Sequence, residues 1–142
     1  MRKTLFITTF LFTISLSAQN ITWQNVNLNV PFENTQAVFN LIDGFYSNIE
    51  IPEGIRVSLW SIEYKGSSEK ATHVLNFAGT KENLVEFESR KLTSEWDAYL
   101  SKLNSLTNRD GFAVTAGVTL VRYNIDKWQE TIAQSHQWKV KN

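Results

Sequence analysis

Residues 23–30 read WQNVNLNV, and residues 31–45 continue as PFENTQAVFNLIDGF. In the first segment Val26, Leu28 and Val30 alternate with asparagines, which is the pattern of a strand with one buried face. Pro31 ends this strand, and Asn34 is a suitable helix cap. Apolar residues then recur at helical spacing: Val38, Leu41, Ile42 and Phe45. The sequence therefore predicts a half-buried strand followed by an amphipathic helix.

The same kinds of element continue along the chain. Residues 55–64 and 71–77 alternate as two strands joined by a turn at 65–68, and residues 112–121 alternate as a further strand after a turn at 108–111. Two helices are predicted between them, one from Thr80 through residue 90 and one from Thr93 or Ser94 through residue 106. The order is strand, helix, strand, then strand, helix, strand.

Two strands carry irregular features. In residues 55–64 the apolar residues change faces after Leu59, which indicates either a bulge or a strand that is buried on both sides. Gly117 interrupts the last strand, and a glycine there indicates a bulge or a close approach by another backbone. Both features leave the order of elements unchanged.

This order resembles the ferredoxin-like fold and, within it, the dimeric α+β barrel superfamily. The resemblance covers residues 23–123 and rests on element order rather than on a sequence motif. It implies an α+β domain with βαββαβ order, in which helices cover one face of a four-stranded antiparallel sheet. It also implies that the other face often pairs with a second subunit.

The first eighteen residues have the three parts of a signal peptide. Arg2 and Lys3 are followed by an apolar run at 5–16 and by small residues that end at Ala18. We expect cleavage after Ala18, or alternatively after Ser17, and hence a periplasmic or secreted protein. The folded domain is then expected at 19–124, followed by a polar C-terminal tail at 125–142.

Composition excludes several kinds of chemistry. The 142-residue chain has no cysteine, so disulfides, thiolate nucleophiles and cysteine metal ligands are excluded, and two histidines do not suffice for a closed zinc site. Loss of Arg2 and Lys3 leaves twelve basic and fourteen acidic residues, a net charge of −2 that disfavours nucleic acid as a partner. We expect no metal, no cofactor and no stable membrane insertion after signal cleavage.

Motifs of common enzyme classes are also absent from the sequence. It contains no G-x-S-x-G, no G-x-x-x-x-G-K-[ST] and no G-x-G-x-x-G, so esterase, P-loop and dinucleotide-binding functions have no support. Acidic pairs such as Glu86 with Glu88 have the pattern of a solvated surface. The sequence therefore favours a non-catalytic function.

The uncovered face of the predicted sheet is the feature most relevant to function. Trp60 lies on the strand face opposite Leu59, so an apolar surface would remain if no helix covers it. We expect either a homodimer through this face or a small apolar pocket on it. The alternative is that the tail covers the face with its own apolar residues: Trp128, Ile132 and Trp138.

His73 is the titratable residue of most interest, because imidazole titrates near neutral pH. If it faces a pocket together with Arg122, the two can bind a small anionic or hydroxylated molecule. The candidate ligand-binding residues are Trp60, His73, Asn76, Phe77, Arg122 and Tyr123. The alternative is that His73 is a hydrogen-bonded core residue, because it shares a strand face with Leu75 and Phe77.

Two functions follow from these observations. The first is an exported, non-catalytic module that binds a small apolar or anionic ligand or self-associates. The alternative is a small cofactor-independent enzyme of the dimeric α+β barrel kind, in which His73 transfers a proton beside Arg122 or Tyr123. The sequence favours the first, since it shows no constellation of acid, base and nucleophile.

Overall fold

The structure is a computed structural model that describes residues 21–90 and 93–120. Four strands and three helices follow one another along the chain: β1 (Thr22–Asn29), α1 (Thr35–Asn48) after a short 3-10 turn (Phe32–Asn34), β2 (Arg56–Ser61), β3 (His73–Gly79), α2 (Lys81–Ser89), α3 (Ser94–Leu106) and β4 (Asn108–Val118). The predicted signal peptide, the C-terminal tail and the end of the last predicted strand lie outside the described residues.

The four strands form one antiparallel sheet in the order β2-β3-β1-β4. Each half of the chain contributes a strand, a helical segment and a second strand, and the two outer strands, β2 and β4, are the edges. This topology confirms the α+β fold with βαββαβ order that the sequence predicted. Within the described residues no helix is long and apolar enough to cross a membrane.

The core lies between the helices and one face of the sheet. Strand pairing places Leu28, Leu75 and Phe77 on this face, where each is at most 3% exposed. The three helices cover it with their own buried side chains: Val38, Ile42, Tyr46, Leu84, Phe87, Tyr99 and Leu103. The apolar spacing predicted for the first helix is therefore confirmed at Val38 and Ile42, and it serves to cover the sheet.

Aromatic rings fill much of this core. The rings of Phe45 and Tyr99 stack with their centroids 4.2 Å apart, and Tyr46 contacts Phe77 edge to face at 5.8 Å. Burial raises the pKa of Tyr46 strongly and raises that of Tyr99 to about 12. Both phenols are therefore uncharged at neutral pH, which is the form that a buried apolar environment favours.

Side-chain caps begin the second and third helices as predicted. The Thr80 hydroxyl accepts a hydrogen bond from the Asn83 backbone N–H at 3.2 Å, and the Thr93 hydroxyl accepts one from the Trp96 N–H at 3.2 Å. Asn34 takes the predicted N-cap position of α1, but its side chain makes no capping hydrogen bond. Its amide instead donates to the Leu106 carbonyl at 3.0 Å, which ties the start of α1 to the end of α3.

Strand β4 begins earlier than predicted, so the predicted turn at 108–111 is wrong. Its first residues pair with β1 through a register shift beside Asn29, and the Asn29 amide donates to the Asp110 carbonyl at 2.7 Å. Strand β2 pairs with β3 in unbroken register from Arg56 to Ser61. The change of apolar faces after Leu59 is therefore no bulge: Leu59 faces the helices, and Trp60 lies on the opposite face of the same regular strand, which carries apolar residues on both sides.

Candidate functional site

A row of four polar side chains crosses the sheet on the face that no described helix covers. Ser58 lies opposite Asn76, Asn76 lies opposite Asn25, and Asn25 lies opposite Thr115. Each strand contributes one residue. Because alternate residues of a strand point to opposite faces, these four point away from the core residue Phe77. We refer to Ser58, Asn76, Asn25 and Thr115 as the polar row, and to this face as the open face.

Part of the hydrogen-bonding capacity of the polar row is unused. The Asn76 amide donates to the Asn25 side-chain oxygen at 2.7 Å. The Thr115 hydroxyl oxygen is buried and has no hydrogen-bond partner among residues 21–90 and 93–120. Within the same residues, no hydrogen bond uses the Asn25 amide N–H groups or the Asn76 side-chain oxygen. The Asn25 amide and the Asn76 oxygen are therefore the groups that the row offers to a molecule placed on it, since the Thr115 hydroxyl is itself buried.

Two further rows flank the polar row, each with one tryptophan, two small or apolar residues and one polar or charged residue. On one side Trp60, Val74, Asn27 and Ala113 lie in line across the sheet, and on the other side lie Arg56, Ala78, Trp23 and Gly117. The Trp23 indole lies directly over Gly117, because a Cβ added to that glycine would be 2.6 Å from the indole Cζ2. The bulge or backbone approach predicted at Gly117 is wrong, because the glycine pairs with Trp23 in regular register and the close contact is with the indole of that residue. The open face therefore carries an indole on each side of its polar centre.

The structure divides the predicted ligand-binding residues between the two faces of the sheet. Trp60 and Asn76 lie on the open face, and Asn76 belongs to the polar row. His73 and Phe77 point toward the helices, and Phe77 is 2% exposed within the core. Arg122 and Tyr123 lie outside the described residues, so their part in a site stays a prediction.

Four residues of the open face were missed by the sequence analysis: Trp23, Asn25, Ser58 and Thr115. The alternation of asparagines in residues 25–29 marks a polar strand face, and this signal is visible in the sequence. The sequence does not reveal the strand pairing that brings Asn25 beside Asn76, which lies 51 positions further along the chain.

His73 has the environment of a hydrogen-bonded structural residue. Its ring Nδ1 lies 2.9 Å from the Thr72 hydroxyl, which also accepts a hydrogen bond from the Val30 N–H at 2.9 Å. Across the sheet His73 lies opposite Leu28 on one side and Ser61 on the other. Burial lowers its pKa from the usual 6.5, against a smaller opposing effect of the Glu63 charge.

Acidification is therefore expected to destabilise the protein through His73. Because its pKa is lower in the folded state, the unfolded chain binds the proton more readily, and stability is lost as the pH falls below 6.5 toward the folded-state pKa. We expect His73→Gln to lose less free energy of unfolding than the wild type between about pH 7.5 and pH 5. Urea denaturation at each pH measures this difference.

Glu63→Gln serves as the companion variant. The Glu63 carboxylate raises the pKa of His73, so its removal is expected to deepen the loss of stability in acid. Equal pH dependence of the wild type and His73→Gln would contradict this account of His73.

Two clefts lie elsewhere on the described surface. One, of about 330 Å³, lies between α1 and β2 and is lined by Phe39, Asp43 and Ser47 among others. The other lies beside α2, where Arg90 is paired with both Glu50 and Glu86. The lone cation of the second cleft, Arg90, is thus already engaged, and the cleft also carries the carboxylate of Glu53. Among the described residues, no group of three histidine, aspartate or glutamate side chains is placed to hold a metal ion.

No protein family model and no curated protein matches this chain. Several solved structures resemble it. A conserved protein from Methanosarcina mazei Go1 matches with a TM-score of 0.51 and 9% sequence identity, over 70% of this chain and 92% of that chain. SnoaB, a cofactor-independent oxygenase from Streptomyces nogalater, matches with a TM-score of 0.45 and 15% identity, over 78% of this chain and 100% of that chain.

A dimeric ferredoxin-like protein of unknown function from Jannaschia sp. CCS1 matches with a TM-score of 0.44 and 12% identity, over 71% of this chain and 99% of that chain. The last two TM-scores are below 0.5, and we draw no conclusion from them. At these identities a match bears on the fold alone. The chain therefore has the ferredoxin-like α+β fold that the resemblance to dimeric α+β barrel proteins implied.

Proposed function

We propose that this chain is an exported, non-catalytic module whose open face binds a small apolar molecule that carries hydrogen-bonding groups. The observation that supports it is the polar row, which crosses all four strands between Trp23 and Trp60. The export part of the proposal rests on the signal-peptide pattern of residues 1–18.

The chemistry of the open face favours a neutral ligand. The indoles supply apolar contact area, and the free amide groups of the row fix the orientation of a carbonyl or hydroxyl group on the ligand. Arg56, at the β2 edge, is the one charged residue in the three rows, so an anionic group can be accommodated only beside that edge.

The same rows argue against catalysis on this face. General acid–base chemistry requires a titratable side chain within hydrogen-bond reach of the reacting group. The polar row and its two flanking rows contain no carboxylate and no imidazole. His73, the base of the alternative enzyme hypothesis, points toward the helices.

Binding of 2-naphthol, a flat apolar molecule with one hydroxyl group, tests the proposal. We expect saturable binding, and we expect Trp60→Ala to weaken it on the order of tenfold through loss of the aromatic contact. Tyr64→Ala is the matched control, because Tyr64 is an exposed aromatic residue outside the three rows and its loss should leave the affinity unchanged. Fluorescence titration gives the dissociation constants.

The role of the polar row is tested by comparing 2-naphthol with naphthalene. The wild type should prefer 2-naphthol, and Asn76→Leu should abolish that preference, because the leucine side chain forms no hydrogen bond. Absence of saturable binding, or equal effects of Trp60→Ala and Tyr64→Ala, would refute the proposed function.

Self-association through the open face is a second candidate function. It is favoured by the apolar surface of Trp60 and Val74, which lie opposite each other on β2 and β3. This mode buries both indoles, so Trp60→Ala should then shift the sedimentation coefficient from dimer to monomer. Under the ligand-binding proposal the same variant leaves sedimentation unchanged.

A further inference from the structure

The outer edge of β4 pairs with no other strand among the described residues, so half of its backbone N–H and C=O groups have no partner there. The Thr119 N–H donates to the Ile21 carbonyl at 2.7 Å, so the backbone groups of odd-numbered residues in this segment point toward β1. In an antiparallel ladder, alternate residues point to opposite edges. The residues whose N–H and C=O groups point outward are therefore Phe112, Val114, Ala116 and Val118.

The side chains along this edge are apolar and exposed. Phe112, Val114 and Val118 are 53%, 52% and 46% exposed. No charged residue and no proline occurs from Gly111 to Val118. Sheet edges in proteins are normally protected by charges, by proline or by being short. The opposite edge follows this rule, since β2 has six residues and begins with the exposed Arg56. Strand β4 has eleven residues, and its exposed charged residues, Arg109 and Asp110, both precede the apolar segment.

We propose that β4 pairs antiparallel with β4 of a second copy of this chain, about a two-fold axis at Thr115. Val114 then lies opposite Ala116 of the second copy, and Phe112 lies opposite its Val118. All four outward-facing residues form hydrogen-bonded pairs, so every free N–H and C=O from Phe112 to Val118 gains a partner. On the helix side of the sheet, apolar residues meet apolar residues across the new contact.

The unused hydroxyl of Thr115 selects this register. With the axis at Thr115, the two Thr115 residues form a non-hydrogen-bonded backbone pair, in which Cα atoms are about 4.5 Å apart and side chains are closest. Paired threonines in this position hydrogen-bond to each other. An axis one residue earlier, at Val114, would instead place Asp110 opposite Val118 and leave the Thr115 hydroxyl facing Ala113.

The resulting dimer has one eight-stranded sheet. The two polar rows meet at the Thr115 pair and form a continuous row, and the edge contact itself covers neither open face. The contact uses the outer edge of β4 rather than the open face, and Thr115 is the one residue that it shares with the polar row. The inference does not depend on the proposed function. It also differs from self-association through the open face, because the indoles of Trp23 and Trp60 take no part in the contact.

Hydrogen exchange at increasing protein concentration tests the edge contact in the unmodified protein. In the dimer, the amides of Phe112, Val114, Ala116 and Val118 should become protected together as the concentration rises. The amides at 113, 115 and 117 should be protected at all concentrations, because they face β1. Sedimentation velocity on the same samples should show conversion from monomer to dimer.

Val114→Lys is the variant that should separate the copies. It places a lysine opposite Ala116 of the second copy and two ammonium groups diagonally across the axis, and we expect it to raise the dimer dissociation constant on the order of tenfold. Val85→Lys is the matched control, because Val85 is 63% exposed on α2, far from the edge. Circular dichroism verifies that both variants fold. The hydrogen-exchange test uses the wild type alone, so it remains valid if either variant fails to fold.

Three results would overturn the inference. A monomer with protected amides at 112, 114, 116 and 118 would mean that other residues of the same chain, such as 121–142, cover the edge. A dimer in which these amides exchange fast would mean that the contact lies elsewhere, for example on the open face. A monomer with fast exchange up to millimolar concentration would mean that the edge is unoccupied.

Discussion

Replacement of Phe77 by Ala is expected to lower the free energy of unfolding by about 3–5 kcal/mol, the usual loss for a buried phenylalanine. Phe77 is 2% exposed, and its ring centroid lies 5.8 Å from those of both Tyr46 and Phe87. Truncation therefore removes the ring that joins the sheet to α1 and α2, and it leaves a cavity between three elements. Urea denaturation monitored by circular dichroism measures the loss.

Two variants calibrate this result. Phe77→Leu keeps most of the buried volume and should cost much less than Phe77→Ala. Val85→Ala removes an exposed apolar side chain and should change stability by less than about 0.5 kcal/mol. A loss below about 1 kcal/mol for Phe77→Ala would contradict its place in the core, since buried phenylalanines cost several times more. Such a result would restore Phe77 as a candidate for ligand contact.

The helix-covered side of the fold could be predicted because its signals are local. Val26 and Leu28 alternate with polar residues in β1, and Val38 and Ile42 follow helical spacing in α1, so each segment identifies its own buried side. The Thr80 and Thr93 caps were equally visible, because a cap bonds to a residue three positions away.

Of the open face only its existence and the candidates Trp60 and Asn76 could be predicted, because the rest depends on contacts between distant segments. Alternation within β3 separates Asn76 from His73 and Phe77, but it does not say which set the helices cover. Alternation also leaves unspecified which residue of β1 or β4 lies beside Asn76. The register that joins Asn25 and Thr115 to it is fixed by the whole sheet, so the polar row is a property of the fold rather than of any single segment.

The start of β4 shows the same limit in a different way. Residues 108–111 read NRDG, which is typical of a turn, and the local signal is correct in that Gly111 has a positive φ of 90°. Pairing with β1 nevertheless draws these residues into the sheet through a register shift beside Asn29. Tertiary pairing thus overrides local preference here, and the glycine remains as the residue that makes the irregular geometry feasible.

Gly111→Ala is accordingly expected to lower the free energy of unfolding by about 2 kcal/mol or more, because two costs act together. A φ of 90° is strained for any residue with a side chain. The added Cβ would also lie 2.6 Å from the Lys70 Cβ and 3.0 Å from the Ala71 backbone nitrogen, and a backbone atom cannot move aside as a flexible side chain can.

Gly44→Ala is the matched control for this prediction. Gly44 lies within α1, and an added Cβ there meets no atom within 4 Å. The substitution should therefore stabilise the protein by up to about 1 kcal/mol, because alanine is the better helix former. Urea denaturation of the two variants side by side compares the same chemical change in two backbone settings. If Gly111→Ala proved as harmless as Gly44→Ala, Gly111 would not have its positive φ against Lys70, and β4 would not begin at Asn108.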